Sequence, residues 1–387
     1  MSQAKEKTAV ETPQKIKPQL LAPWLQAQLE TLLLQRGHAW LLSGPSGLGQ
    51  FDLALALAKS WLCERPTGQG ACGECGSCHA VEVHTHADLR MLMPETLSLA
   101  LGWPLDAKTQ DDLDGKKRKP SKEIKVDAAR EAVSFTQFTR SRGDTKVVLV
   151  FPAERMNLIT ANTLLKTLEE PPGAVKFILA TEAAHQLLPT IRSRCLGHTM
   201  AWPDFGNALA WLGSEALRPE DGDGSAKKPV KVPDAADLQT LLAGAGGRPA
   251  NALLWTEPGQ PAEAAQRWRV LPQAIANGDV SALAQYSPAQ AVDALQKICH
   301  DAWAVRVGAA PRFFSTRDLA ALLPRKPPLS QSSAPLDAGM QALANWSKEL
   351  FVIARTVDHP YNAGLLLESL VSRARAALNV DVAIGGS

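Results

Sequence analysis

At 387 residues the chain is too long for one ordinary domain, and a hydrophobic fraction of 45% fits a folded, soluble protein with ample core. The 41 basic and 39 acidic residues nearly cancel to a net +2, so overall charge names no partner and any nucleic-acid face must be argued locally. No apolar run reaches the length of a membrane span, and the Lys-rich Met1 to Lys17 lacks the apolar block of a signal peptide, so a cytoplasmic protein with no membrane partner is expected.

In chain order, His38 to Ser43 reads as a strand leading into the turn Gly44-Pro45-Ser46-Gly47-Leu48-Gly49, and Phe51 to Leu62 reads as the helix that this turn opens. A further helix is predicted from an N-cap near Asp127, with Val133 and Phe138 turned inward, before the polar turn Ser141 to Thr145. Val147 to Phe151 is continuously apolar, as a buried parallel strand is. After Asn157, the residues Leu158, Ala161, Leu165 and Leu168 recur at helical spacing until Pro171 and Pro172 stop the helix, and Phe177 to Thr181 follows as a strand.

Strands alternating with helices from Trp40 to Met200 predict an α/β domain with a mostly parallel sheet. Two stretches, Thr96 to Lys122 and Pro219 to Pro233, are rich in charge, Gly or Pro and read as insertions that the fold does not need. From Ala235 onward the periodic segments Asp237 to Ala243, Ala262 to Val270, Pro288 to Val307 and Leu336 to Val357 are helical, with Lys326 to Pro335 as a loop.

The strand, glycine turn and helix around Gly44, Gly47 and Gly49 have the context of a phosphate-binding loop, whose backbone N–H groups face an anion. Such a loop needs a Lys to reach the outer phosphates and a Ser or Thr to hold magnesium. Gln50 stands at the first position and Phe51 at the second. A neutral amide is no substitute for an ammonium, and a phenyl ring has no metal-coordinating atom. The acid expected after the next core strand is replaced by Pro152, with Glu154 two positions further on. The turn is thus read as a degenerate phosphate loop in which nucleotide is not expected. By itself it also fits a glycine turn in an unrelated α/β protein.

Four of the six cysteines, Cys63, Cys72, Cys75 and Cys78, follow the spacing C-x8-C-x2-C-x2-C. In a reducing compartment that pattern favours metal over disulfides, and four thiolates fill a tetrahedral shell with no position left for water. Structural zinc is the expectation, with His79, His84 and His86 nearby as alternative ligands. A zinc-dependent nucleic-acid binder acting alone is the competing reading, although a zinc ribbon normally sets its two pairs further apart.

The run Ala161-Asn162-Thr163-Leu164-Leu165-Lys166-Thr167-Leu168-Glu169-Glu170-Pro171-Pro172 closely resembles a helix of AAA+ subunits of the bacterial DNA polymerase III clamp loader, and Ile191-Arg192-Ser193-Arg194-Cys195 resembles their Ser-Arg-Cys motif. More weakly, Gly246 to Leu253 resembles the family's lid region, and His359-Pro360-Tyr361-Asn362 with Leu365 to Leu367 its collar. The resemblance implies an AAA+ domain over 1–201 with a zinc module at 63–78 and an insertion at 96–122, a helical lid over 202–258 with an insertion at 219–233, and an all-α collar over 259–387.

It further implies that Arg194 is an arginine finger acting in trans on ATP bound by a neighbouring subunit. The partners implied are gamma/tau and delta subunits in a hetero-oligomer, with the sliding clamp and primed DNA engaged through the complex. Within the family, intact loops mark the motor subunits, so the damaged loop implies a member without its own ATPase. An active ATPase of gamma or tau type is the alternative. Thr181 falls where AAA+ proteins keep a polar sensor of the γ-phosphate and is read as a remnant capping its strand; Lys166 is assigned to a solvated face.

Overall fold

A computed structural model describes residues 21–216, 234–255, 260–322, 338–357 and 362–379. The chain divides into two compact units, Met1–Pro45 with Gly49–Met200, and Ser46–Leu48 with Ala201–Ser387. The expectations for the insertion at 219–233, the loop at 326–335 and His359 to Tyr361 lie outside the described residues.

The first unit holds β1 (Ala39–Ser43), β2 (Leu89–Leu92), β3 (Lys146–Val150), β4 (Val175–Thr181) and β5 (Leu196–Thr199) in one sheet of order β2-β3-β4-β1-β5, with every pair parallel. Its helices are α1 (Pro23–Leu33), α2 (Gln50–Leu62), α3 (Gly76–Glu82), α4 (Glu95–Ala100), α5 (Ala107–Asp114), α6 (Val126–Gln137), α7 (Leu158–Glu169) and α8 (Pro189–Arg192). Every residue of β3 is buried, because a central parallel strand is covered on both faces and so carries no polar alternation. Between α6, α7 and the sheet, Ala129, Ala132, Leu164, Leu168, Val148 and Phe177 pack into one core.

Three local expectations are corrected. The N-cap of α6 is Lys125, and Asp127 lies in the first helical turn, where it pairs with Arg130 at 3.0 Å. Phe138 is 70% exposed, because α6 ends at Gln137 and the chain turns extended at that residue, aiming the ring out of the helix's buried face. In α7 the buried stripe is Ala161, Leu164 and Leu168, whereas Leu158 is exposed at the first turn. Asn157 caps that helix, its side chain accepting from Thr160 N at 2.9 Å.

The segment 96–122 is more than a polar loop. It contributes most of α4 and all of α5, buries Trp103 and stacks that ring on His84 at 3.9 Å. Glu95, at the start of α4, is buried and accepts from Arg118 Nη1 at 2.5 Å, Arg118 Nη2 at 3.0 Å and Ser121 N at 2.8 Å, with Lys125 Nζ at 2.6 Å. One carboxylate therefore pins both ends of the segment.

The regular elements in the described residues of the second unit are all helices, the α-helices being α9 (Phe205–Ala216), α10 (Ala235–Gly244), α11 (Pro249–Leu254), α12 (Pro261–Asn277), α13 (Pro288–Arg306), α14 (Ala338–Thr356) and α15 (Ala363–Leu378). Trp268 of α12 stacks between Trp255 at 4.8 Å and Phe314 at 4.5 Å. A Cβ on Gly244 would meet the Trp268 ring at 2.7 Å, so α10 can lie this close only with glycine there. No described helix is long and apolar enough to cross a membrane.

Candidate functional site

In parallel sheets with helical crossovers, ligand chemistry gathers beyond the carboxyl ends of the strands. Here Ser43 of β1 is in register with Thr181 of β4, which sets the glycine loop beside the end of β4. Gly44 N donates to Thr181 O at 3.3 Å. Gly47 (φ 82) and Gly49 (φ 92) are left-handed, a conformation that side chains resist, and Gly49 is the N-cap of α2.

Gln50 is 2% exposed, and its Nε2 donates to Gly44 O at 2.6 Å and Pro45 O at 2.7 Å. The amide is turned back into the loop and spent on the loop's own carbonyls. Phe51 packs on Phe151 with ring centroids 5.3 Å apart, so its ring is engaged with the end of the β3 segment. Glu154, in the turn after β3, does not take the acid's place: Oε2 accepts from Thr181 Oγ1 at 2.6 Å and Oε1 from Glu182 N at 3.1 Å. Thr181 also accepts from Ala183 N at 3.2 Å, so its hydroxyl caps the strand end as expected and binds Glu154 besides. Lys166 is exposed, as assigned.

Arg194 lies just past α8, where fully buried Ile191 anchors the turn and Arg194 N donates to Ile191 O at 3.1 Å. Its Nη1 donates to Thr190 O at 2.8 Å and its Nη2 pairs with Glu169 Oε1 at the end of α7. The side chain is 28% exposed. The pairing with Glu169 escapes sequence reasoning, because the two residues stand 25 positions apart with no periodic signal between them. Cys195 next to it is half-buried, and burial pushes its thiol up to about 12, out of the reactive range.

The four clustered cysteines are brought together by the end of α2, a loop with left-handed Gly70 and Gly73, and α3. All four Sγ atoms lie within 4.8 Å of one another, with Cys63–Cys75 at 3.8 Å and Cys72–Cys78 at 3.9 Å. Metal–sulfur bonds of about 2.3 Å in a tetrahedron require sulfurs about 3.8 Å apart, and disulfides would require about 2 Å. The donor set therefore fits one tetrahedral metal ion.

Backbone amides support the sulfurs: Cys72 N donates to Cys63 Sγ at 3.3 Å and Cys78 N to Cys75 Sγ at 3.4 Å. A backbone hydrogen bond at Glu74 is the main cause that lowers Cys72 to about 6, whereas burial pushes Cys78 up, so the fully buried thiol relies on a cation to ionise. Of the alternative ligands, His84 Nδ1 is bonded to Gly102 O at 3.0 Å and His86 Nδ1 accepts from Asp88 N at 3.1 Å. None of the three histidines joins the four-sulfur group.

A parallel sheet with a glycine loop between its inner strand and a helix, followed by a helical unit, defines an AAA+ architecture. The family model for "DNA polymerase III, delta subunit" matches residues 22–202. DNA polymerase III subunit delta' of Pseudomonas aeruginosa is 37% identical over 232 residues, 59% of this chain and 60% of its own length. The delta' subunit of Escherichia coli is 35% identical over 204 residues, 51% of this chain and 54% of its own. Subunit tau of Salmonella typhimurium is 34% identical over 159 residues, 41% of this chain and 21% of its own. Over residues 22–202 the chain is similar to the delta' subunits of DNA polymerase III. It spans between half and two thirds of the length of these delta' relatives.

Proposed function

We propose that this chain is the non-hydrolysing delta' member of a clamp loader in the DNA polymerase III holoenzyme, completing a neighbour's ATPase site without possessing one. The observation that carries the reading is the loop, where Gln50 is consumed by Gly44 O and Pro45 O and Phe51 rests on Phe151. With Pro152 after β3, none of the three residues that would hold phosphate, magnesium and attacking water is of the right chemistry.

In this reading Arg194 is the arginine finger. Its guanidinium grips phosphate oxygens of ATP held by an adjacent gamma/tau-type subunit and offsets the charge that develops during transfer. The second unit comprises a lid over 202–258 and a collar over 259–387 through which the chain joins gamma/tau and delta subunits. The assembly opens a sliding clamp and sets it on primed DNA. Cys63, Cys72, Cys75 and Cys78 hold structural zinc, which supplies no chemistry to ATP and fixes the loop before α3 against α2.

The test is Arg194→Ala in the reconstituted loader. Arginine fingers contribute about a thousandfold or more in rate, so turnover at the site this chain completes is expected to collapse while assembly persists. DNA-dependent ATPase equal to that of the unaltered loader would refute the assignment.

A further inference from the structure

The ion pair that holds Arg194 sits in an unusual place. Glu169 is the last residue of α7 and Glu170 its C-cap, at the end where the helix dipole already concentrates negative charge and a carboxylate is disfavoured. Local helix physics therefore gives no reason for Glu169, and residues that break a local rule tend to mark functional sites. What Glu169 meets is Arg194 Nη2.

The remaining bonds of the guanidinium make that contact consequential. Nε is buried without a hydrogen-bond partner among the described residues, and Nη1 is bonded to Thr190 O. A guanidinium grips an oxyanion at two points through either Nη1 with Nη2 or Nε with Nη2, so a phosphate held in either way shares Nη2, and its two N–H groups, with Glu169. The pair is 28% and 49% exposed at its two side chains, which keeps it weak enough to exchange partners in water.

We propose that Glu169 is the resident counter-ion of Arg194, and that a phosphate group of the neighbouring chain's nucleotide competes with it for the guanidinium when the arginine acts. The proposal rests on the reading of Arg194 as a finger and adds its regulation: the carboxylate holds the guanidinium when no nucleotide faces it and competes with phosphate when one does. Glu169 is thus a positioning residue that touches no substrate. Its chemistry is exchange of one anion for another on a fixed cation, with no bond made or broken.

Glu169→Gln keeps the hydrogen-bond acceptor and removes the charge. In the full loader, reconstituted with its ATPase and delta subunits, it is expected to raise ATP turnover at sub-saturating ATP by up to about fivefold, the range an exposed ion pair can contribute. In an Arg194→Ala background the same substitution is expected to change nothing, since the coupling between the two positions is the claim. Turnover equal to or below the unaltered loader, with Arg194→Ala strongly impaired, overturns the counter-ion proposal and leaves the finger reading standing. An increase that persists in the Arg194→Ala background also overturns it. Unimpaired Arg194→Ala removes the finger reading, and the inference with it.

Discussion

A lysine at position 50 would extend its ammonium toward a phosphate, whereas the glutamine there folds its amide onto two carbonyls of the loop it follows. The loop has closed around a neutral donor. Gln50→Ala leaves Gly44 O and Pro45 O without that donor in a buried site, which is expected to cost about 1–3 kcal/mol, read as a lower denaturant midpoint at unchanged slope. The pair Gln50→Lys with Phe51→Thr restores two of the missing groups but not the carboxylate at Pro152, so ATP turnover by the isolated variant is expected to stay at background. Turnover appearing in that variant would mean that Glu154 can leave Thr181 and serve as the acid.

At the scale of elements, the cysteine module and α4 carry separate predictions. Structural zinc sites contribute about 10 kcal/mol or more to local folding, so Cys78→Ser is expected to lose the metal and release α3, which Lys59–Glu82 at 2.5 Å otherwise ties to α2. Metal analysis of the unaltered chain should find about one zinc per chain, and protein purified without chelator that carries none would contradict the assignment. Burial of Glu95 by itself raises its pKa, but bonds from Arg118, Lys125 and Ser121 N outweigh burial and bring it down to about 2. A carboxylate depressed in this way stabilises the fold above its unfolded pKa, and that contribution is lost as pH falls from the ordinary glutamate range through about 2. Acid unfolding of Glu95→Gln, compared with the unaltered chain, is expected to show a shallower loss of stability in that window.

These elements also show what a sequence can carry. β3 and β4 were legible as continuous apolar runs, and the cysteine spacing already implied a shared centre, because in both cases the physics is local in the chain. β2 and β5 were not, since each has four residues, is only partly buried and lies at a sheet edge, with too little periodicity to separate it from loop. Phe138 was misread because helical spacing says nothing about where the helix stops. The fixing of Gln50 by carbonyls, of Glu154 by Thr181 and of Arg194 by Glu169 are side-chain bonds that no pattern of residue types announces.

At the scale of the molecule, a parallel sheet and a glycine loop surround a position where Gln50, Phe51 and Pro152 stand in place of the Lys, hydroxyl and acid that a phosphate loop uses for hydrolysis. The proposed role moves the remaining chemistry to Arg194, whose value lies in another chain's nucleotide. The most direct measurement is ATP hydrolysis by the purified chain alone with magnesium, set beside the reconstituted loader. The account predicts no turnover above background from the chain alone and DNA-dependent turnover from the loader; brisk magnesium-dependent hydrolysis by the isolated chain would contradict it.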